Sequence, residues 1–153
     1  MSTEENKAIV GRFYEELWNQ RRLDVADEII APDCLTHQLR SGAEVSGVPR
    51  GPEAVKHHIE EWLGGFPDLR FDVEQIIAES NQVVSRSRLH ATHTGTWLGL
   101  APTGKEISIR MIVIQQIVNG KIAADWVLVE SLGLLQQLGL VPTIEEILAQ
   151  AAQ

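Results

Sequence analysis

Residues 107–130, ISIRMIVIQQIVNGKIAADWVLVE, decide the fold. β-Branched residues crowd both halves of the stretch, and Asn119-Gly120 lies between them. Asn and Gly both tolerate positive φ, so the pair predicts a two-residue antiparallel hairpin. Back toward the N-terminus, Pro102-Thr103-Gly104 and Ser80-Asn81 are turn signals that bound two more extended runs. The spacing predicts strands over about 70–78, 82–93, 107–118 and 121–130.

Ahead of these strands the period is helical. Ser2 or Thr3 can cap a first helix whose apolar positions are Ile9, Val10, Phe13, Tyr14, Leu17 and Trp18. A second, short helix is predicted over Leu23 to Ile30, ended by Ala31-Pro32 because a residue before proline avoids the helical region. Residues 41–51, rich in Gly and Ser, read as a loop. Pro52 then opens a third helix with Val55, Ile59, Trp62 and Leu63 as its buried stripe, and Gly64-Gly65 ends it. Leu132 to Leu138 returns to helical character, and Thr143 with Glu146 forms a capping box for a last helix reaching Ala152. Helices followed by an antiparallel meander predict an α+β fold. It is read as one domain over residues 1–153, with helices on one face of a curved sheet.

Composition narrows the functions. With 13 basic against 21 acidic residues the net charge is −8, and Arg21-Arg22 is the only adjacent basic pair, so no patch for a phosphate backbone is expected. A single cysteine, Cys34, excludes an intrachain disulfide and fits a reducing compartment. No apolar run approaches the ~20 residues of a membrane span. The expectation is a soluble cytoplasmic protein with no nucleic-acid or membrane partner. Gly-rich phosphate loops, CxxC pairs, HExxH and Gly-x-Ser-x-Gly are all absent, which disfavours common nucleotide and metal enzymes.

Candidate chemistry rests on a few side chains. His57-His58 point different ways from the third helix and read as a solvated or partly packed surface. His90 and His93, three apart on a strand, face opposite ways and make a poor metal pair. His37 stands at a helix-to-loop transition, balanced between pocket and structure. On the last strand, alternation groups Ile122, Ala124, Trp126, Leu128 and Glu130 on one face. A carboxylate at the end of a Trp-bearing apolar face is costly to ionise and suited to general acid/base work. Strand ends are also commonly exposed, and residue types alone favour a solvated Glu130. Trp18, Trp62, Trp97 and Trp126, from four elements, can wall a cavity or fill an ordinary core.

The ordered words of the chain resemble one family. Phe13-Tyr14-Glu15-Glu16-Leu17-Trp18-Asn19, Asp33 to His37, Gly51-Pro52-Glu53, Phe66-Pro67-Asp68-Leu69, Thr92-His93-Thr94-Gly95, Pro102 to Lys105, Asn119 to Ile122 and Leu132 to Gly139 are similar to the SnoaL-like polyketide cyclases, within the nuclear transport factor 2-like superfamily. The resemblance implies a cone, with a bent antiparallel sheet wrapped around helices and a pocket open at one end. It further implies a homodimer or higher homo-oligomer formed through the sheet. The implied activity is cofactor-free and metal-free closure of a polyketide ester ring, in which an acid near the end of the last strand removes a proton beside a carbonyl. The family's tryptophan followed four residues later by an acid matches Trp126 and Glu130, with glutamate where aspartate is common. No histidine follows His93, and the strand that carries one in such cyclases offers Val113, Gln115 and Gln116. Which glutamine faces inward is left open by the spacing. On this reading Glu130, His37 and His93 carry the chemistry. Trp18, Trp62, Trp97, Trp126, Val113 and Gln115 hold a hydrophobic carbonyl-bearing ligand. A non-catalytic binding protein, or an isomerase or dehydratase in the same pocket, is the alternative.

Overall fold

The computed structural model describes residues 1–40 and 47–153. Helix α1 (Thr3–Arg12) starts at a capping box in which the Ser2 hydroxyl accepts the Glu5 N–H and the Glu5 carboxylate accepts the Ser2 N–H. It runs on as a π-helical segment, Phe13–Asn19, and a short α2 (Val25–Ile29) follows. Strands β1 (Ile30–Gln38) and β2 (Val48–Pro49) lead into α3 (Pro52–Gly65), which begins at proline as expected. Then come β3 (Arg70–Glu79), β4 (Gln82–Thr92), β5 (Glu106–Val118), β6 (Lys121–Val129), α4 (Ser131–Gln137) and α5 (Ile144–Ala151). The helix α5 opens on the expected capping box of Thr143 and Glu146. No helix among the described residues is long and apolar enough to cross a membrane. Most of the expected loop, residues 41–46, lies outside the described residues.

The six strands form one open curved sheet in the order β2-β1-β6-β5-β4-β3. β3 to β6 are the expected antiparallel meander, and Asn119 (φ 50°) and Gly120 (φ 75°) both take the left-handed conformation in its last turn. The sheet is mixed rather than wholly antiparallel, because β1 joins it parallel to β6. The sequence pattern gives a helix and loop here, since Pro32 and Asp33 are poor strand formers. The structure accommodates them in an irregularity between Ile30 and Leu35, where the ladder with β6 is interrupted and the missing proline N–H costs nothing.

Helices α1 to α3 pack on the concave side of the sheet. Val10, Leu17, Ile29 and Ile59 from the helices meet Val83, Leu89, Ile109 and Ile122 from the strands in one buried core. The end of the π-helical segment is tied to β3 in both directions. Asn19 accepts the Phe71 N–H at 2.8 Å and donates to the Phe71 carbonyl at 2.9 Å.

One irregularity sets the site. In the β5–β6 ladder Ile117 pairs with Ile122 and Gln116 with Ala124, so Ala123 is an extra residue. A bulge of this kind reverses the facing of everything beyond it. Ile122 points into the core, but past the bulge Asp125, Val127 and Val129 point inward and Trp126 and Leu128 point out. The expected grouping of Trp126 with Glu130 on one strand face therefore does not hold: Trp126 lies on the convex face with Leu128, and Glu130 falls past the end of β6, where it caps α4.

Candidate functional site

Between the helices and the concave face lies a cavity of about 140 Å³. An apolar cavity of roughly 150 Å³ holds a benzene ring, so the enclosed part has the size of one ring. Three groups of side chains build it. The π-helical segment supplies Phe13, Tyr14 and Trp18; α3 and the residue before its cap supply His58, Trp62 and Arg50; the sheet supplies Cys34, Val113, Val127 and Asp125. π-Helical turns are rare and gather at functional sites. Here the widened turn places Tyr14, Leu17 and Trp18 together on the buried side.

Apolar walls set the electrostatics. Burial pushes the Asp125 carboxyl up to about 6, against the opposing pull of the Thr36 hydroxyl and of Arg50 and His37. Burial pushes the His58 imidazole down to about 4, helped by the charge of Arg50 and by His57, so His58 is neutral at physiological pH. Cys34 is pushed up to about 12 by burial and by Asp125, so it is a thiol and not a thiolate. Tyr14 is raised by burial, and its hydroxyl shares a 2.7 Å hydrogen bond with Ser85.

Several buried polar atoms have no hydrogen-bond partner among the described residues: Asp125 Oδ1, the Trp18 indole nitrogen, the Ser87 hydroxyl, and both amide atoms of Gln115. Gln115 pairs with Asp125 across the β5–β6 ladder and is fully buried, so Gln115, not Gln116, faces inward. An unmet buried polar group costs about 1–3 kcal/mol, so a cluster of them is a place where water or a ligand completes the bonding.

The side chains expected from sequence divide between two places. Trp18, Trp62 and Val113 line the cavity, and Gln115 lies beside Asp125. Trp97 packs behind the wall, with its ring 4.9 Å from Trp62. His93 is fully buried outside the lining; its Nδ1 accepts the Thr103 N–H at 3.1 Å and its ring stacks on Phe66, which anchors the loop after β4. His37 and Trp126 stack on the convex face with centroids 4.8 Å apart and planes 4° from parallel. Glu130 is exposed at the start of α4, where its Oε2 accepts the Arg110 N–H at 3.0 Å.

Among the charged and histidine side chains of the cavity, Asp125 and Arg50 were not singled out by the sequence, and His58 reads there as a solvated or partly packed surface. Asp125 is hidden by the bulge. His58 had a usable signal, since Val55, His58, Ile59 and Trp62 fall at i, i+3, i+4 and i+7 on one helix face. Arg50 precedes the Gly51-Pro52 helix start and has no periodic pattern to mark it.

Helices packed inside a curved sheet define a nuclear transport factor 2-like α+β fold. The chain belongs to the SnoaL-like polyketide cyclase family, whose model matches residues 8–138. It is 29% identical over 125 residues to the nogalonic acid methyl ester cyclase of Streptomyces nogalater, covering 80% of this chain and 89% of that one. Among solved structures, the proposed hydroxylase AclR of Streptomyces galilaeus superimposes with a TM-score of 0.81 at 28% identity, covering 99% of this chain and 91% of AclR. The proposed polyketide cyclase IdmH of Streptomyces antibioticus gives 0.75 at 26% identity, over 88% and 98% of the two chains.

Proposed function

We propose that the protein is a cyclase-type enzyme that performs acid/base chemistry on a lipophilic, carbonyl-bearing small molecule, with Asp125 as the proton carrier. The observation that carries this reading is a carboxyl group held at about 6 in a largely apolar cavity one ring wide. A base works best with a pKa near the working pH, because it is then both ionised and basic enough to accept a proton. Ionised Asp125 takes a proton from the carbon beside a carbonyl. The resulting enolate carbon attacks a second carbonyl of the same molecule, a ring closes, and Asp125 returns its proton to the new alkoxide. Trp18 and Trp62 offer flat walls for a ring, and the chain's own side chains carry every step.

The test is solvent deuterium incorporation, read by mass spectrometry, into β-keto esters, β-diketones and cyclic enones, with wild type beside Asp125→Asn. Exchange by wild type that disappears in the variant supports the enzyme. Compounds that bind to wild type but do not exchange would make the cavity a binding site without turnover.

The natural protein is further proposed to pair with a second copy of itself through the convex face. Leu35, Leu39, Ile112 and Leu128 are exposed there around the His37–Trp126 stack, an apolar surface that water covers poorly. Sedimentation analysis of Leu128→Asp against wild type checks it: a dimer that becomes a monomer with an unchanged circular dichroism spectrum supports the pairing, and a monomeric wild type ends it.

A further inference from the structure

We propose that Arg50 is the group that receives the negative charge in this cavity: its guanidinium holds the carbonyl oxygen as that oxygen becomes an enolate, in the same cavity as the Asp125 carboxylate that takes the proton. The inference rests on the acid/base reading of the site and names its second partner.

The backbone of Arg50 is fixed from both sides. Its N–H donates to the Cys34 carbonyl on β1 at 2.7 Å. The next residue, Gly51, caps α3 and lies so close to β1 that an added Cβ would stand 2.6 Å from the Pro32 carbonyl oxygen. The backbone of Arg50 is thus wedged between strand and helix, which fixes the point from which its side chain reaches the cavity.

The side chain is a cation without a carboxylate partner among the described residues. Arg50 lines the cavity, is the only Lys or Arg among the described lining residues, and makes no ion pair with any described residue. Yet its charge reaches Asp125, His58 and Cys34 alike. Two opposite charges that face one cavity and do not meet leave room for a group between them. The chemistry supplies such a group. When the C–H bond breaks, the proton goes to Asp125 Oδ, the electron pair forms the C=C bond, and the carbonyl π pair moves to oxygen. The net charge of the cavity is unchanged, but its negative part moves from Asp125 to the substrate oxygen. A cation on the same cavity as the base stabilises that movement. His58 and Tyr14 remain neutral and contribute dipoles only.

A phenolate is a stable stand-in for the enolate, and Asn at position 125 stands in for the protonated acid. The probe is therefore 4-nitrophenol bound to Asp125→Asn protein, with the phenolate band read against pH. We expect its ionisation to shift to lower pH on binding by about one unit or more, which is tenfold in the ionised fraction. In Asp125→Asn/Arg50→Gln the shift should vanish while 4-nitrotoluene, the uncharged control, binds as before; Arg50→Lys should keep part of it. An unshifted phenol, a shift that survives Arg50→Gln, or no binding of either ring at millimolar concentration overturns the assignment. The two readings fail separately. Deuterium exchange absent in wild type with an intact phenolate shift removes the enzyme and keeps the anion site. Exchange undiminished in Arg50→Gln removes Arg50 and keeps Asp125.

Discussion

Two carboxylates five residues apart in the chain, Asp125 on β6 and Glu130 just past its end, illustrate how little residue type decides and how much facing does. Asp125 lies in an apolar cavity with one carboxylate oxygen unpartnered among the described residues, and its carboxyl is pushed up to about 6. Glu130 lies in the open, accepts a backbone N–H from Arg110, and folds over the first turn of α4 near Gly133. Alternation alone gives both the same inspection and picks the wrong-facing set, because a single inserted residue at Ala123 exchanges the faces of β6. The lesson is specific: on a strand that ends at a site, a bulge carries more functional information than the identity of the terminal residue.

The largest expected effect separates the two directly. Asp125→Asn should lower the rate of carbonyl-directed deuterium exchange by about 10²–10⁴-fold, the usual worth of a positioned base, with ligand binding retained. For wild type the rate should rise with pH through about 6 and then level, as Asp125 ionises. A flat profile across that range would remove Asp125 as the base.

The same substitution should move stability the other way. The folded pKa of Asp125 is raised, from 3.8 to about 6. Its protonated form is therefore the one the fold prefers. The contribution is fully present below pH 3.8 and is lost as pH rises through about 6, so at pH 7 the ionised acid destabilises the fold. At about 1.4 kcal/mol per unit, Asp125→Asn should be more stable than wild type by about 2–3 kcal/mol at pH 7, with little difference at pH 4. Urea melts of the two proteins at those pH values check this. An inactive variant that is also the more stable one is what a strained functional acid produces. A variant equally destabilised at both pH values would mark Asp125 as a packing residue.

How much was legible follows the range of the forces involved. Local signals served well: Asn119-Gly120 fixed a turn, Ser2 and Thr143 fixed helix starts, Pro52 opened α3, and the four strands of the meander fell where their patterns run. Such features depend on backbone preferences within a few residues. β1 was not legible, because Pro32-Asp33 is acceptable as strand only where β6 lies alongside and skips the ladder there. Trp18, Trp62 and Val113 were placed at the cavity by chain pattern and resemblance. Asp125 and Arg50 were not, since one depends on a bulge in a pairing register and the other on a residue whose backbone is held between β1 and α3. His58 is the instructive middle case: its helical spacing with Val55 and Trp62 was in plain view, but a polar residue on an apolar stripe reads as surface until the stripe is known to face a cavity.

The smallest expected effect is the sharpest check on the comparison. In Glu130→Gln the side-chain carbonyl can still accept the Arg110 N–H, so the local hydrogen bond survives and only an exposed charge is lost. Substitutions of this kind on a surface change stability by within about 0.5 kcal/mol. The deuterium exchange rate should match wild type within experimental error. A neutral replacement that matters would mean that Glu130 reaches the reacting molecule, which it can do only if the start of α4 swings over the sheet edge and carries the carboxylate around the end of β6. Abolished exchange in Glu130→Gln, with exchange intact in Asp125→Asn, would therefore invert the two faces of the argument at once. Equal loss in both would make the pair act together on one substrate. Only silence at Glu130 leaves the bulge at Ala123 as the feature that selects the acid.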